Sequence, residues 1–265
     1  MRAFRLAYDG ARFHGFQRQP DVPTVEDALF SSLARLDVYD PDGPKPPGYS
    51  AAGRTDAGVS ALAQTVAFEC PDWCSPTAFN AELPAAVRAW ASAEVPADFH
   101  ATRDARRREY VYHLHAPGAD DERLRTAAER LAGTHDYRHL TPDSRNTVRD
   151  LAIDVDRDDE FAVVTVSADG FPRQLVRRLV SLLADVGTGE RSLEAVGRVF
   201  EPAGLPDHEG VPPAPAHPLV LSAVDYDVAF AADADAATAT STRFSARRVE
   251  FAARSRVARQ IADGL

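Results

Sequence analysis

Hydrophobic and polar positions change their period several times along this 265-residue chain, and each change marks an element. Arg2 to Tyr8 alternates apolar and charged residues and predicts a strand. Behind Thr24, the stripe Val25, Leu29, Leu33, Leu36 predicts a helix from about Val25, N-capped by the threonine hydroxyl. Pro41 to Ser50 reads as a loop. Leu62 to Glu69 then returns to period two, with Gln64, Val66 and Phe68 on one face of a strand. Ser75-Pro76 has the form of an N-cap followed by proline and predicts a short helix.

Around Phe99 to Arg108 the chain crosses into a second half. There a strand from Arg108 to His115 precedes a helix from Glu122 to Leu131, terminated by Gly133. Thr147 to Asp156 and Phe161 to Ala168 alternate as strands. Pro172 opens a long helix to Val186, whose buried side holds Leu182, Leu183 and Val186. Glu201 to Pro218 is rich in proline and glycine and reads as an exposed connection, and Ala229 to Thr242 as a loose linker. In the tail from Phe244 to Leu265, Val249, Ala253, Val257 and Ile261 recur every four residues, which is helical spacing.

Strands mixed with a few helices, rather than strict alternation, predict an α+β fold with mostly antiparallel sheet. The segments are 1–104, 105–243 and a helical tail 244–265, and each of the first two reads as strand, helix, strand.

Composition narrows the class. Hydrophobic residues make up 45% of the chain, a globular value, and no apolar run approaches a membrane span. The N-terminus enters a charged strand directly, with no signal or transit peptide evident, so a cytoplasmic location is expected. Cys70 and Cys74 are the two cysteines. A structural zinc site needs two more ligands, and the nearest histidine, His100, belongs to another motif; both thiols are expected reduced, with no metal.

Charge complicates the picture. The net charge is −10 and Lys45 is the single lysine, yet arginines cluster at Arg103 to Arg108, at Arg173 to Arg178 and from Arg243 to Arg259. An acidic excess repels phosphates, unless salt screens it: at about 1 M the Debye length is only about 3 Å. A GC-rich genome explains arginine and alanine but not the acidic excess, so a salt-loving source is expected.

The chemistry concentrates at Gly53-Arg54-Thr55-Asp56-Ala57-Gly58-Val59. Glycines on either side permit a tight turn that presents one carboxylate beside one guanidinium and feeds a strand, a suitable seat for a nucleophile. Taken alone, the same residues also describe an ordinary hairpin turn with Asp56 capping its own backbone.

The longer string closely resembles the catalytic motif of the TruA family of tRNA pseudouridine synthases, and the resemblance runs along nearly the whole chain. Tyr8-Asp9-Gly10, Phe13, Gly15 to Gln19 and Thr24-Val25-Glu26 are similar to that family's opening block. Asn80 to Pro84, Phe99-His100-Ala101, the basic run to Tyr110 and Tyr112, Gly133 to Tyr137, Asn146 to Arg149, Phe171 to Gly187 and Pro213 to Ala216 follow in family order. Three places depart from the pattern: His217-Pro218 where an acidic residue and glycine are usual, Ser60 for a common histidine, and Pro172-Arg173-Gln174 for an often histidine-rich stretch.

The resemblance implies two α+β halves whose sheets join, a cleft between them, and a homodimer. It implies conversion of uridine to pseudouridine in the anticodon stem-loop of tRNA. The reaction has no redox step, and the chain has no Gly-x-Gly-x-x-Gly or Walker pattern, so no cofactor is expected. Asp56 is the carboxylate needed near C1′ of the sugar, as nucleophile or as base. Arg177, matching the family's Val-Arg, is its candidate cationic partner; read alone it is a solvated helix arginine. Tyr110 offers a ring to stack on the base and a phenol near the proton that leaves C5, or it is a core tyrosine of its strand. Arg54 either holds the space of an extruded nucleotide or contacts phosphate. Arg18, Arg106, Arg107 and Arg108 complete the expected RNA contacts.

Two other classes compete. A glycoside hydrolase uses two carboxylates, for which Asp9 or Glu82 is available, and releases free uracil. A non-catalytic RNA-binding module, using the basic strand Arg106 to Tyr112, leaves its RNA unchanged.

Overall fold

In the computed structural model, which describes residues 1–206 and 210–265, ten strands form one continuous mixed sheet. In chain order they are β1 (Arg2–Tyr8), β2 (Ser50–Ala51), β3 (Ser60–Phe68), β4 (Val87–Glu94), β5 (Arg107–His115), β6 (Gly133–Asp136), β7 (Val148–Asp158), β8 (Phe161–Ala168), β9 (Leu219–Asp225) and β10 (Ala231–Ala232). Across the sheet the order is β10-β4-β1-β3-β9-β5-β8-β7-β6, with β2 paired to β3 off this path. Every pairing is antiparallel except β3 with β9, where Ser60 lies beside Val220 and Ala61 beside Leu221. That parallel junction joins the two halves of the chain. It confirms the α+β reading with mostly antiparallel sheet.

Six helices accompany the sheet among the described residues: α1 (Val25–Arg35), α2 (Pro76–Glu82), α3 (Asp121–Leu131), α4 (Leu175–Thr188), α5 (Glu194–Arg198) and α6 (Ala234–Asp263). The expected caps are present: Thr24 accepts from the Asp27 amide and Ser75 from the Ala78 amide. No helix among the described residues is long and apolar enough to cross a membrane.

Each half has its own core. In the first, Phe4, Phe68 and Phe79 pack with Leu29, Leu33 and Val66. In the second, Leu124, Leu131, Val164, Leu179 and Leu183 close α3 and α4 over β5, β8 and β7. A third, smaller cluster built on Ala3, Ala67 and Phe99 covers the opposite face of the first half. For that reason β3 is buried on both faces from Ala63 to Phe68 and not on one alone.

Gly133 (φ +91°) follows the end of α3 at Leu131, as expected, and leads straight into β6. Three expectations change. Helix α4 starts at Leu175 and not at Pro172, because Gln174 takes a left-handed turn (φ +60°) that no α-helix continues through. The connection expected from Glu201 to Pro218 includes 207–209, which lie outside the described residues; of the rest, Val211 and Ala214 are buried in the second core. The linker expected from Ala229 to Thr242 is instead β10 and the first turns of α6, which run unbroken into the predicted tail helix. Asp233 fixes that start: its carboxylate caps Ala236 and bonds Thr77 of α2.

Candidate active site

The loop 53–58 lies where β3 enters the sheet, and both strands and loops of the first half clamp it. Ala52 donates to the Thr65 carbonyl at 2.8 Å, and the buried Gln64 side chain donates to the Gly53 carbonyl at 2.9 Å. The Tyr8 and Thr55 hydroxyls are hydrogen-bonded at 2.8 Å inside the core. From outside, the segment after β1 wraps the loop: Phe16 donates to the Thr55 carbonyl and Gly58 to the Phe13 carbonyl. This approach needs Gly15, whose φ is +95° and whose added Cβ would sit 2.9 Å from the Thr55 carbonyl oxygen. Ser60, in the place of a usual histidine, accepts from the Gly10 amide at 3.1 Å. So Asp56 stands on a backbone with little freedom.

Its carboxylate faces the other half of the molecule. Asp56 Oδ2 lies 3.2 Å from Arg177 Nη1 on α4, with the two side chains 27% and 15% exposed. Arg177 is aimed by the proline-rich segment: its Nε donates to the Ala214 carbonyl at 2.7 Å, and the Ala214 amide donates to the Arg177 carbonyl at 3.1 Å. Ala216 in the same segment lies against Gly58, where an added Cβ would come within 3.3 Å of the alanine Cβ. The Pro-Ala-Pro-Ala motif thus bonds Arg177 and packs against the loop that carries Asp56. The neighbouring arginines do different things. Arg173 pairs with Asp143, and Arg178 bonds the Val211 carbonyl and Gln174.

Tyr110, in the middle of β5, is partly buried and touches the cores of both halves. Phe171 packs edge-on against its ring, with centroids 5.2 Å apart and planes at 87°. Loss of hydration pushes its phenol up to about 12, against an opposing pull from Arg108 and with a further push from Asp56. The phenol therefore stays protonated at any ordinary pH, and it feels the Asp56 charge. Tyr112, two residues on, is buried in the second core. The site brings together Asp56, Arg177 and Tyr110, which are distant in sequence.

The expected RNA-contacting arginines are less uniform. Arg54 is exposed beside Asp56 and has no partner among the described residues. Arg18, next to the wrapping segment, pairs with Asp27 at 2.8 Å. Arg106 pairs with Asp227 and Arg107 bonds Ser167, both at the surface. Arg108 is different: it is buried, and four of its five N–H groups donate to the carbonyls of Ala52, Thr102 and Asp169. It is a strut beneath the Asp56 loop, with too few free donors to serve as a phosphate contact. The two carboxylates of the hydrolase alternative lie in other networks, Asp9 with Arg247 and Glu82 with Arg35.

Sequence reasoning missed the internal supports Tyr8, Thr55, Gln64 and Arg108. Buried polar groups leave little trace in a pattern: Thr55 lies in a loop, and Gln64 shares a strand face with Val66 and Phe68 without showing that it is buried. Ala214 was visible only as part of a motif. Both cysteines are free, and no cluster of potential metal ligands occurs among the described residues.

Comparison with known proteins places this mixed-sheet fold, with an aspartate and an arginine paired across its two halves, in a family. A family model described as tRNA pseudouridine synthase matches residues 127–227. The tRNA pseudouridine synthase A of Haloarcula marismortui is 54% identical over 100% of both chains, and that of Halobacterium salinarum is 54% identical over 99% of this chain and 98% of its own. The corresponding enzyme of Methanosarcina acetivorans is 41% identical over 84% of each. The chain belongs to the TruA family of tRNA pseudouridine synthases, which are isomerases. The two most similar of these relatives come from halophilic archaea, the origin that the acidic composition predicts.

Proposed function

We propose that this enzyme converts uridines of the anticodon stem-loop of tRNA to pseudouridine, using Asp56 at the sugar and no cofactor. In this reaction the N1–C1′ bond breaks, the freed uracil turns, and C5 bonds to C1′. The C5 proton leaves and N1 gains one, so atoms and electrons balance without an oxidant. Asp56 acts at C1′ as nucleophile or base, and Arg177 balances its charge once RNA closes the site and removes water. Tyr110 stacks on the turned base and presents its neutral phenol close to C5. Arg54, exposed next to Asp56, holds the place of the extruded nucleotide or grips its phosphate.

The observation that carries the reading is the 3.2 Å contact of Asp56 with Arg177 across the two halves, beside Tyr110. The stem-loop itself, like a homodimeric state, rests on the family resemblance. Mapping pseudouridine at single-base resolution in tRNA treated with the pure protein in molar KCl tests it. Modification confined to the anticodon stem-loop is expected; modification elsewhere in the tRNA overturns the placement, and release of free uracil overturns the isomerisation.

A further inference from the structure

The last part of α6 has no role in the site just described. The helix starts at β4, where the Asp233 amide bonds the Trp90 carbonyl, and passes Arg88 at Arg243. It reaches Asp9 at Arg247, and the Asp9 amide bonds Ala86, just before β4 begins. So α6 runs along β4 toward the end of the sheet where β1 leaves at Tyr8 and β3 enters at Ser60. That is the end carrying the Asp56 loop. Arg247 is its last anchored residue, and from Arg248 to Leu265 every residue is exposed. At 1.5 Å per residue, the free part is about 24 Å of helix projecting past the site's edge of the sheet.

Its charge opposes that of the rest of the chain. Residues 243–265 hold six arginines against Glu250 and Asp263, in a protein of net charge −10. Arg254 pairs with Glu250, but Arg248, Arg256 and Arg259 have no partner among the described residues. Val249, Val257 and Ile261 form an exposed stripe on the same arm. Pairing this arm with that of a second copy would bury the stripe but set arginines against arginines. A polyanion meets no such repulsion.

We infer that residues 248–265 of α6 form a basic arm that grips the phosphate backbone of tRNA outside the modified nucleotide. The inference rests on the tRNA activity above and adds a second point of contact. Guanidinium groups suit phosphates through paired N–H donors, and such contacts position the nucleic acid without reading its sequence. In molar salt the Debye length is about 3 Å, so only direct contacts of this kind survive.

The test combines Arg248→Gln, Arg256→Gln and Arg259→Gln in the full chain and measures KM, kcat and the Kd for tRNA in molar KCl. KM and Kd are expected to rise about tenfold, with kcat within twofold and the melting temperature unchanged. Unchanged KM and Kd overturn the arm. A second variant, Val249→Ser with Val257→Ser and Ile261→Ser, addresses the rival occupant. If it halves the mass in solution and leaves Kd unchanged, the arm is a contact between copies and the inference fails. Because Kd is read separately from turnover, a wild-type protein that binds tRNA without modifying it would sink the catalytic reading while the arm is still judged by Kd.

Discussion

The loop 53–58 and the arm 248–265 are opposites in how the chain holds them. Around the loop, Tyr8 and Gln64 reach up from the core, Arg108 holds Ala52 at its base, and Phe13, Gly15 and Phe16 close over the top, so the loop is tied down from both sides. Along the arm no residue is buried, and its side-chain contacts are local, such as Arg254 with Glu250. The difference matches the two proposed tasks. A carboxylate that attacks or deprotonates one sugar carbon must be held to a fraction of an ångström before substrate arrives. A basic arm that steadies a phosphate backbone gains from adjusting to it.

Beyond Asp56 itself, the largest expected effect is on the partner that completes the loop from the other half. Arg177→Leu leaves Asp56 uncompensated; losing one member of a buried pair costs about 3 kcal/mol or more. Because Asp56 is 27% exposed in the free enzyme, solvent offsets some of that until tRNA closes the site. Turnover should fall roughly 100-fold, equivalent to about 2.7 kcal/mol. Arg173→Leu removes only a surface pair with Asp143 and should cost less than threefold. Similar small losses in single-turnover assays of both variants would remove Arg177 from the site.

A smaller loss is expected at the base. Tyr110→Phe keeps the ring and its contact with Phe171 while deleting the phenol. We expect kcat down about 30-fold, a little below the usual range of about 100-fold or more for losing a group that assists proton transfer, with KM unchanged. Equal kcat would reduce Tyr110 to stacking, and a collapse in melting temperature would make it a packing residue.

The supports come next. Tyr8→Phe breaks the 2.8 Å bond to Thr55 and leaves that hydroxyl buried without its partner. A loss of about 1 kcal/mol in stability is expected, together with about a tenfold lower kcat from a looser loop. If stability drops and kcat holds, the loop does not need this tether.

The smallest effect is one of pH. Burial raises the phenols of Tyr110 and Tyr226 to about 12, so between about pH 10 and 12 the unfolded chain loses protons that the folded one keeps. Stability therefore falls as pH rises through that window, and Tyr110→Phe should flatten the fall in alkaline unfolding curves. An unchanged slope would mean that Tyr110 is hydrated.

Much of this architecture was legible in the sequence where apolar residues are large. Arg2–Tyr8, the Thr24 cap, the Ser75-Pro76 start and the strand Phe161–Ala168 were read at their observed bounds. Strand β4 was not, because three of its four buried positions are alanines, small side chains that weaken an otherwise regular alternation with Arg88, Trp90, Ser92 and Glu94. Strand β9 was hidden behind the proline-rich segment. The start of α6 was mistaken for a linker because Ala, Asp and Thr give no stripe; its order comes from Asp233 and from packing on β4. At the site, the motif pointed to Asp56, and the family match to Arg177 and Tyr110. The misread residue was Arg108: a run of three arginines does not reveal that strand alternation turns the third inward.

The central claim is that the carboxylate held by this loop does the chemistry. Forming the C1′–C5 bond expels the hydrogen at C5, so tRNA carrying tritium at C5 of uridine reports each turnover as tritium in water. Wild-type enzyme, Asp56→Asn and Glu82→Gln should be compared under single-turnover conditions in molar KCl, with tRNA Kd measured alongside. The account predicts no tritium release from Asp56→Asn with Kd within about threefold of wild type, since asparagine keeps the size and loses only the charge, and near-normal release from Glu82→Gln. Sustained release from Asp56→Asn at a comparable Kd would contradict it.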